Sequence, residues 1–524
     1  MANKPLSKIG VVGAGTMGSG IALVALYAGC EVYVQDAYPQ MLQRASEYLK
    51  KFLEKKGKGS SFKKLHLVSK LEDLASAQVI IEAAPEQLAL KQDLFHQLDA
   101  ICPPPAILAS NTSTLSITAI ASATQHGGRV AGLHFFNPAA VLPLVEVVRA
   151  AQTSQQTMES LVGLVQALGK TPVVTGDTPG FIVNRVARPF YGEALRLLGE
   201  GVASVEQIDQ IAEQGGGFRM GPFKLMDMIG IDVNTAAMQS LYAQTFGEPR
   251  YRPHWLQMQK VAEGALGRKS GRGFYEYGYE GGANKDESGG MKDEKAKADI
   301  GGGSGRVLIS EGSWAPGLAE LCEQTGYEVD SVPDPEHPPI ACFVVAGRQE
   351  EAARLAAWYD QSLPPEVPLL IQCADLTLSE AATWVQRKQR LIGFDGLFFA
   401  SGQAATMVSL GIAGREDAEQ LMGHLGKALV WINETPGLVL PRIVCQLANE
   451  AAFAESEGVA DGATIDLAMK LGVSYPKGPL EWGAELGYDK VQAVLDHLFS
   501  QYHEERYRAC VLLRRWARAQ AAQP

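Results

Sequence analysis

The chain has 524 residues, 46% of them hydrophobic and 20% charged, which is enough apolar material for three or four separately packed domains. A formal net charge of −11 leaves no broad basic face for a phosphate backbone, so nucleic acid is excluded as a partner. Seven scattered cysteines, with no C-x-x-C pair and no histidine at zinc-ligand spacing, point to a reducing, cytoplasmic setting and to no structural metal.

Taken in chain order, the first segment is ambiguous by composition. Lys4 and Lys8 precede IGVVGAGTMGSGIALVALYAGC, twenty-two residues without a charge, which has the outline of a signal peptide. Gly10, Gly13, Gly15, Gly18 and Gly20 within it would cripple a membrane helix but suit a strand that turns sharply into a helix. No other stretch reaches the roughly 20 apolar residues of a membrane span, so no membrane association is expected.

KIGVVG reads as a buried strand, IALVALYAG continues with helical spacing, and EVYVQD returns as strand. This βαβ pattern carries G-x-G-x-x-G at Gly13, Gly15 and Gly18, with Asp36 closing the second strand. The glycines let the backbone approach a pyrophosphate, and the helix N-terminus offers it free amides and a positive dipole. Asp36 is suited to accept hydrogen bonds from a ribose diol and would repel a 2′-phosphate, so NAD is expected rather than NADP.

Between the second and third strands of this pattern lies YLKKFLEKKGKGSSFKKL, a cationic patch in an acidic protein. It reads either as a solvated helical face or as a site for a phosphorylated substrate handle. VIIEAAPE, AILASNTS and RVAGLHFF then follow as apolar strands with polar ends, and in an open α/β sheet such ends converge on the ligand crevice. GLHFFNPAAVLPLVEV contains only two titratable side chains, His134 and Glu146, in a run that should be interior, where an unpaired charge is costly. From Thr178 the pattern turns helical, with breaks at Gly221-Pro222 and Ile229-Gly230, and it closes on GRKSGRGFYEY.

GAGTMGSGIA, ASNTSTL, GLHFFNP, DTPGFIVNR and GRKSGRGFYEY together resemble the L-3-hydroxyacyl-CoA dehydrogenases of fatty-acid and aromatic-acid degradation, over residues 7 to 277. The resemblance implies that His134 is the catalytic base and Glu146 its partner, while Ser113 and Asn184 bind the region of the reacting oxygen. It further implies that Asp36, Glu86, Lys91 and Asn111 touch NAD and that the lysine-rich insert, with Lys56 and Lys63, holds the CoA moiety of an acyl-CoA thioester. The chemistry suits these residue types. Oxidising a secondary alcohol requires removing its proton while hydride leaves for the nicotinamide, and a histidine takes that proton near neutral pH. An ionised neighbouring carboxylate fixes the tautomer and stabilises the imidazolium, as the acid does in a catalytic triad.

Residues 279 to 305 are rich in Gly, Lys, Asp and Glu and read as a flexible linker. Beyond it the chain repeats. TPGLVLPR at 435 answers TPGFIVNR at 178, and at a fixed offset 17 of 55 positions are identical, among them Glu193 with Glu450, Asp209 with Asp466 and Gly221-Pro222 with Gly478-Pro479. RVLISEGSWAPGLAELCEQTGYEV tracks the first nucleotide-binding segment, but Gly312 alone remains, aligned with Gly15. Ser310 and Ala315 replace Gly13 and Gly18, Pro333 falls at Asp36, Asp395 at His134 and Pro441 at Asn184.

The expected architecture is thus an α/β Rossmann-type NAD-binding domain (1–177), an all-α C-terminal domain (178–278), a linker (279–305), a degenerate Rossmann-like domain (306–434) and a second helical domain (435–524). The layout resembles the long bacterial tandem enzymes of the 3-hydroxybutyryl-CoA and 3-hydroxyadipyl-CoA type. No hydratase-like segment precedes the first strand, which disfavours a multifunctional β-oxidation protein. Helical domains of single-copy relatives pair as homodimers, so an intrachain pseudo-dimer is expected, with a homo-oligomer of the whole chain possible. Two alternatives are kept: an NAD-dependent dehydrogenase of a non-CoA hydroxy acid, and a non-enzymatic soluble protein recruited from this fold.

Overall fold

The computed structural model describes residues 6–277, 303–347 and 349–522. All but the last three residues of the expected linker lie outside them. The chain gathers into two compact units, one holding the described residues up to Val186 together with Phe453–Gly478, the other Ala187–Ala452 together with the residues from Pro479 onward.

The first unit is built on eight strands: β1 (Lys8–Val12), β2 (Glu31–Gln35), β3 (Leu65–Val68), β4 (Val79–Glu82), β5 (Ile107–Ser110), β6 (Val130–Phe135), β7 (Leu144–Arg149) and β8 (Thr171–Gly176). Their order in the sheet is β3-β2-β1-β4-β5-β6-β7-β8. All neighbours are parallel except β6 and β7, which are antiparallel with His134 directly opposite Glu146. The central strands are continuous apolar runs because helices cover both sheet faces. The helix Thr16–Tyr27 is buried from Gly18 to Leu26, which explains its charge-free sequence: a helix apolar all round belongs in a core. Among the described residues no helix is long and apolar enough to cross a membrane.

Two glycines set the turn after β1. Gly13 has φ +96°, and a Cβ there would lie 2.8 Å from the Ala83 carbonyl oxygen. A Cβ on Gly18 would lie 1.8 Å from the Gly13 carbonyl oxygen, so the helix could not sit this close to the strand.

The second unit carries a seven-stranded sheet: β9 (Arg306–Ile309), β10 (Glu328–Asp330), β11 (Ala341–Val344), β12 (Leu369–Gln372), β13 (Leu391–Phe394), β14 (Ala404–Ser409) and β15 (Ala428–Trp431). Its order, β10-β9-β11-β12-β13-β14-β15, is that of the first sheet without a counterpart of β3, and β13–β14 is again the antiparallel pair. The helix after β9 is shortened to Leu318–Gln324. One sequence-based alignment is corrected here. Gly312 takes the turn position of Gly13, not of Gly15, since a Cβ on it would press on the Val345 carbonyl oxygen after β11 as one on Gly13 presses on Ala83 after β4.

In both units a helical copy lies on the sheet of the other half. Within the second unit Asn433 N donates to the Val202 carbonyl at 2.8 Å; within the first, Gly176 N donates to the Val459 carbonyl at 3.1 Å. Residues 202 and 459 are equivalent in the repeat. Within the second unit the matched glutamates are also used reciprocally. Glu193 accepts from the Tyr507 hydroxyl (2.9 Å) and from Arg442 Nε (2.8 Å), while Glu450 accepts from the Tyr251 hydroxyl (2.5 Å) and from Arg250 Nη1 (2.8 Å). Burial alone would push the Glu193 carboxyl up, but Arg196 and Arg442 outweigh it and hold it below its ordinary value.

Candidate active site

The C-terminal ends of β1, β4, β5 and β6 meet along one edge of the first sheet, where the polar residues of the sequence motifs collect. Near the end of β6, His134 Nδ1 and Glu146 Oε2 are 2.6 Å apart, with His134 only 4% exposed and Glu146 fully buried. The second carboxylate oxygen, Oε1, accepts from the backbone N–H groups of Ile182 and Val183 at 3.0 Å each, just after the TPG turn. The carboxylate is therefore held at both oxygens and the imidazole at one nitrogen, so each member offsets the burial of the other. The Phe136 ring, its centroid 4.5 Å from that of the imidazole, and the Phe181 ring flank His134. With Nδ1 turned to the carboxylate, Nε2 is the nitrogen presented for proton transfer.

Ser113 and Asn184 come together as well. Asn184 Nδ2 donates to the Ser113 carbonyl at 3.3 Å, and both residues are half-buried. Asn111 Oδ1 accepts from Phe135 N at 2.8 Å, tying the end of β5 to the residue after the histidine.

Glu86 accepts from Ser113 N (3.0 Å), from the backbone and hydroxyl of Thr114 (3.1 Å each) and from the Thr112 hydroxyl. Burial raises its pKa, but Lys91 and these donors more than compensate, so the net direction is down and the group stays ionised. Lys91 is almost wholly buried. Its ammonium lies 2.6 Å from Glu82 Oε1 and 3.4 Å from Glu86 Oε2, and it donates to the Ala84 carbonyl. Glu82, which the sequence motifs do not single out, is the centre of this cluster: its Oε2 accepts from the Ser110 hydroxyl at 2.6 Å and its Oε1 from Ala84 N. The signal was present in the sequence, since Glu82 is an acid ending a buried apolar strand, as Glu146 is an acid within one.

At β1 the helix Thr16–Tyr27 begins at Gly15 with no side-chain cap and no acidic residue in its first turn, and nothing lies within 4 Å of the position a Cβ on Gly15 would take. That open, uncapped N-terminus fits a diphosphate. Asp36 accepts from Ala14 N (2.8 Å) through Oδ2 and from Tyr38 N (2.9 Å) through Oδ1, so the acid expected to read the ribose also orders the glycine turn. The lysine-rich insert forms the helix Pro39–Lys55, which buries Ala45, Leu49 and Leu53 and turns its lysines outward. Lys58 and Lys64 donate to the Tyr27 and Gly29 carbonyls and anchor the insert, whereas Lys56 and Lys63 are exposed and share no hydrogen bond or ion pair with the dyad among the described residues.

A buried histidine–carboxylate pair at the rim of a nucleotide-binding sheet is the equipment of a nicotinamide-dependent dehydrogenase of secondary alcohols. Comparison with known proteins narrows this class. A family model described as 3-hydroxyacyl-CoA dehydrogenase, NAD binding domain, matches residues 8–178, and one described as 3-hydroxyacyl-CoA dehydrogenase, C-terminal domain, matches residues 180–277 and again 437–523. The chain belongs to the 3-hydroxyacyl-CoA dehydrogenase family, with NAD as its cofactor. It is 37% identical over 518 residues to 3-hydroxyadipyl-CoA dehydrogenase of Escherichia coli (strain K12), covering 97% of each chain. It is 42% identical over 282 residues to mitochondrial hydroxyacyl-coenzyme A dehydrogenase of Homo sapiens, covering 51% of this chain and 90% of that one. The crystal structure of 3-hydroxybutyryl-CoA dehydrogenase from Escherichia coli K12 matches it with a TM-score of 0.79 at 35% identity, covering 99% of both chains.

Proposed function

We propose that this chain oxidises an L-3-hydroxyacyl-CoA reversibly to the 3-oxoacyl-CoA at one active site per chain, with His134 as the base and Glu146 as its positioning partner. The observation that carries this reading is the buried 2.6 Å contact between His134 and a carboxylate whose other oxygen is fixed by two backbone amides. In the oxidative direction His134 Nε2 takes the hydroxyl proton, and Glu146 holds the resulting imidazolium. NAD held at the glycine turn would supply the hydride acceptor for the carbinol carbon. Ser113 and Asn184 hydrogen-bond the substrate oxygen, and Asn111 keeps β5 and β6 in register beside it. Gly13, Gly15 and Gly18 shape the turn for the diphosphate, and Asp36 selects the ribose diol. Lys91 keeps Glu86 ionised and in place at the cofactor's side. Lys56 and Lys63, exposed on an insert anchored by its other lysines, serve the phosphates of CoA.

The second half binds no nucleotide in this reading. Trp314, 3% exposed, is seated across the ends of β9 and β11, where its indole donates to the Gly347 carbonyl at 3.3 Å. The two helical copies act as a pseudo-dimer within the chain, a role supported by the reciprocal use of Glu193 and Glu450. The setting is cytoplasmic, consistent with seven free, buried cysteines. For the acyl group, one relative that spans 97% of this chain is named for 3-hydroxyadipyl-CoA and a solved structure that spans 99% of it for 3-hydroxybutyryl-CoA; of the two we assign the dicarboxylyl substrate, on the higher identity of 37% against 35%.

The test measures NAD reduction with 3-hydroxyadipyl-CoA beside 3-hydroxybutyryl-CoA, together with calorimetric titration by NADH. A higher kcat/KM for the dicarboxylyl substrate and one NADH per chain are expected. A preference for 3-hydroxybutyryl-CoA would overturn the substrate assignment, and two equivalent NADH sites would overturn the single-site reading.

A further inference from the structure

Phe453–Gly478 belong by sequence to the second helical copy, yet they pack into the unit that carries the dyad. The helix Gly462–Gly472 lies against β7, β8 and the short helix Val183–Val186. Three contacts fix it there. The Val459 carbonyl, just before this helix, accepts from Gly176 N and from the Thr175 hydroxyl at the end of β8. Glu457 pairs with the buried Arg185 at 2.8 Å. At the C-terminal end of the helix Gly472 sits so close that a Cβ would lie 2.8 Å from Leu144 Cδ2 and 3.0 Å from Val183 Cγ2.

Leu144 and Val183 are both tied through the backbone to the Glu146 carboxylate. Leu144 is two residues before Glu146 on β7, and Val183 N is one of the two donors to Glu146 Oε1. The Leu144 methyl can turn aside. Val183 is β-branched and sits at the start of a helix, so its χ1 is stiff and a push on it moves its backbone. The same arrangement recurs in the second unit, where a Cβ on Gly215, the repeat equivalent of Gly472, would meet Leu440, the equivalent of Val183, at 3.3 Å. There no dyad is at stake, since Thr406 stands across the strand pair from Asp395.

We infer that the second helical copy is a positioning element for catalysis: through Gly472 it sets where Val183 and β7 lie, and so sets the geometry with which Glu146 holds His134. The inference rests on the reading of the His134–Glu146 dyad given above. It gives the duplication a use in the reaction, because a segment from far along the chain backs the strand and the amide donor that hold the one catalytic carboxylate.

The experiment uses the full chain with Gly472→Val, the graded variant Gly472→Ala, and Gly163→Ala as control. Gly163 lies in a helix of the same unit, with nothing within 4 Å of the position its Cβ would take. Gly472→Val should lower kcat at least tenfold while leaving the Kd for NADH, read by fluorescence, within about twofold. The acid limb of its kcat/KM profile should move to lower pH, because the imidazolium loses part of its carboxylate support. Gly472→Ala should show the same changes to a smaller extent, and Gly163→Ala none. A merely structural role would lower kcat and NADH binding capacity together with the folded fraction and leave the limb in place. An unmoved limb in whichever Gly472 variant is folded overturns the inference. His134→Ala run alongside separates the two claims: if it keeps wild-type turnover the dyad itself is wrong, and if it is inactive while the Gly472 variants behave as wild type only the positioning role is wrong.

Discussion

The two Rossmann-like sheets of this chain share a strand order, an antiparallel pair at the same place and a buried clamp, yet only the first pairs a histidine with a glutamate across its antiparallel strands. The clamp is instructive. Arg129 Nε and Nη2 donate to Asp99, and its Nη1 donates to the carbonyls of Cys102 and Ala106; Arg390 makes the same set of bonds to Asp360 and to the carbonyls of Pro364 and Val367. Each clamp ties the end of a helix to the residue just before β6 or β13, so it fixes where that strand starts. The residues that differ are those to which the proposed mechanism gives chemical tasks. His134 faces Glu146, but Asp395 N donates to the Thr406 carbonyl across the equivalent strands. The uncapped helix start at Gly15 is replaced by a turn that buries Trp314 and a helix that begins only at Leu318. What the comparison teaches is that the clamp persists where the His134–Glu146 pair does not, so it does not depend on that pair.

The largest effect should come from the residue that separates the halves most sharply. His134→Ala is expected to lower kcat by roughly 10²- to 10⁴-fold, the range for loss of a general base, with NADH binding retained. Asp395→Ala, at the matching position, should leave turnover of the folded enzyme unchanged. Steady-state assays on both variants check the contrast, and equal losses would mean that the second sheet also takes part in the reaction.

The clamps should behave alike in spite of this. Removing one partner of a buried, hydrogen-bonded ion pair costs about 3–5 kcal/mol. Arg129→Ala and Arg390→Ala should each lower the denaturant midpoint of the unit that contains it by a comparable amount. A large loss from one and none from the other would break the view that both are elements of the fold. In the first sheet Asp36→Ala should do less. In its proposed role it gives up charge-assisted hydrogen bonds to a ribose diol, about 1.5–3 kcal/mol, which should narrow a preference for NADH over NADPH by roughly 10- to 100-fold. Initial rates with the two cofactors provide the check, and a wild type that prefers NADPH would refute the assigned role of Asp36.

Much of the first half was legible because its signals are local. The glycines, Asp36 and the alternation of strand and helix lie within thirty residues, and His134 and Glu146 betray themselves as the only ionisable groups in an apolar run. The landmarks of the repeat also have direct causes. Asp209 accepts from Phe223 N and Lys224 N, and a Cβ on Gly221 or on its equivalent Gly478 would collide with Asp209 or Asp466, so acid and glycine persist together. Of the Glu82 cluster only the acid at the end of a buried apolar strand left a signal in the sequence; its bond with Ser110, on the neighbouring strand, needs the sheet. The packing of Phe453–Gly478 into the first unit was not legible. Sequence periodicity marks which face of a helix is apolar, not which of two similar sheets that face will cover. Gly312 was aligned with the wrong glycine because a single glycine in a degraded turn carries no register of its own.

The smallest effect on turnover, none, belongs to Asp395, whose effect on stability has a sign that follows from linkage. Burial pushes this carboxyl up to about 7, opposed only in part by the backbone amides of Phe398 and Leu397. In the unfolded chain it titrates near 4. Between those values the folded state holds a proton that the unfolded state has released, so the contribution of Asp395 to stability is complete below about pH 4, is lost as pH rises toward 7 and stays lost above it. Asp209 and Asp375, each pushed up to about 6 chiefly by burial, add slopes of the same sign, so wild-type stability alone does not isolate the effect. The difference between Asp395→Asn and wild type does. An amide has no proton to lose, so the variant's melting temperature relative to wild type should climb between pH 5 and pH 8, by about 2–4 °C for each kcal/mol recovered, with turnover at matched temperature unchanged. A difference that is flat with pH would show that Asp395 is not held neutral in the folded chain. A slope of the expected sign would show that the strand end which carries His134 in the first sheet carries a pH-dependent cost to stability in the second.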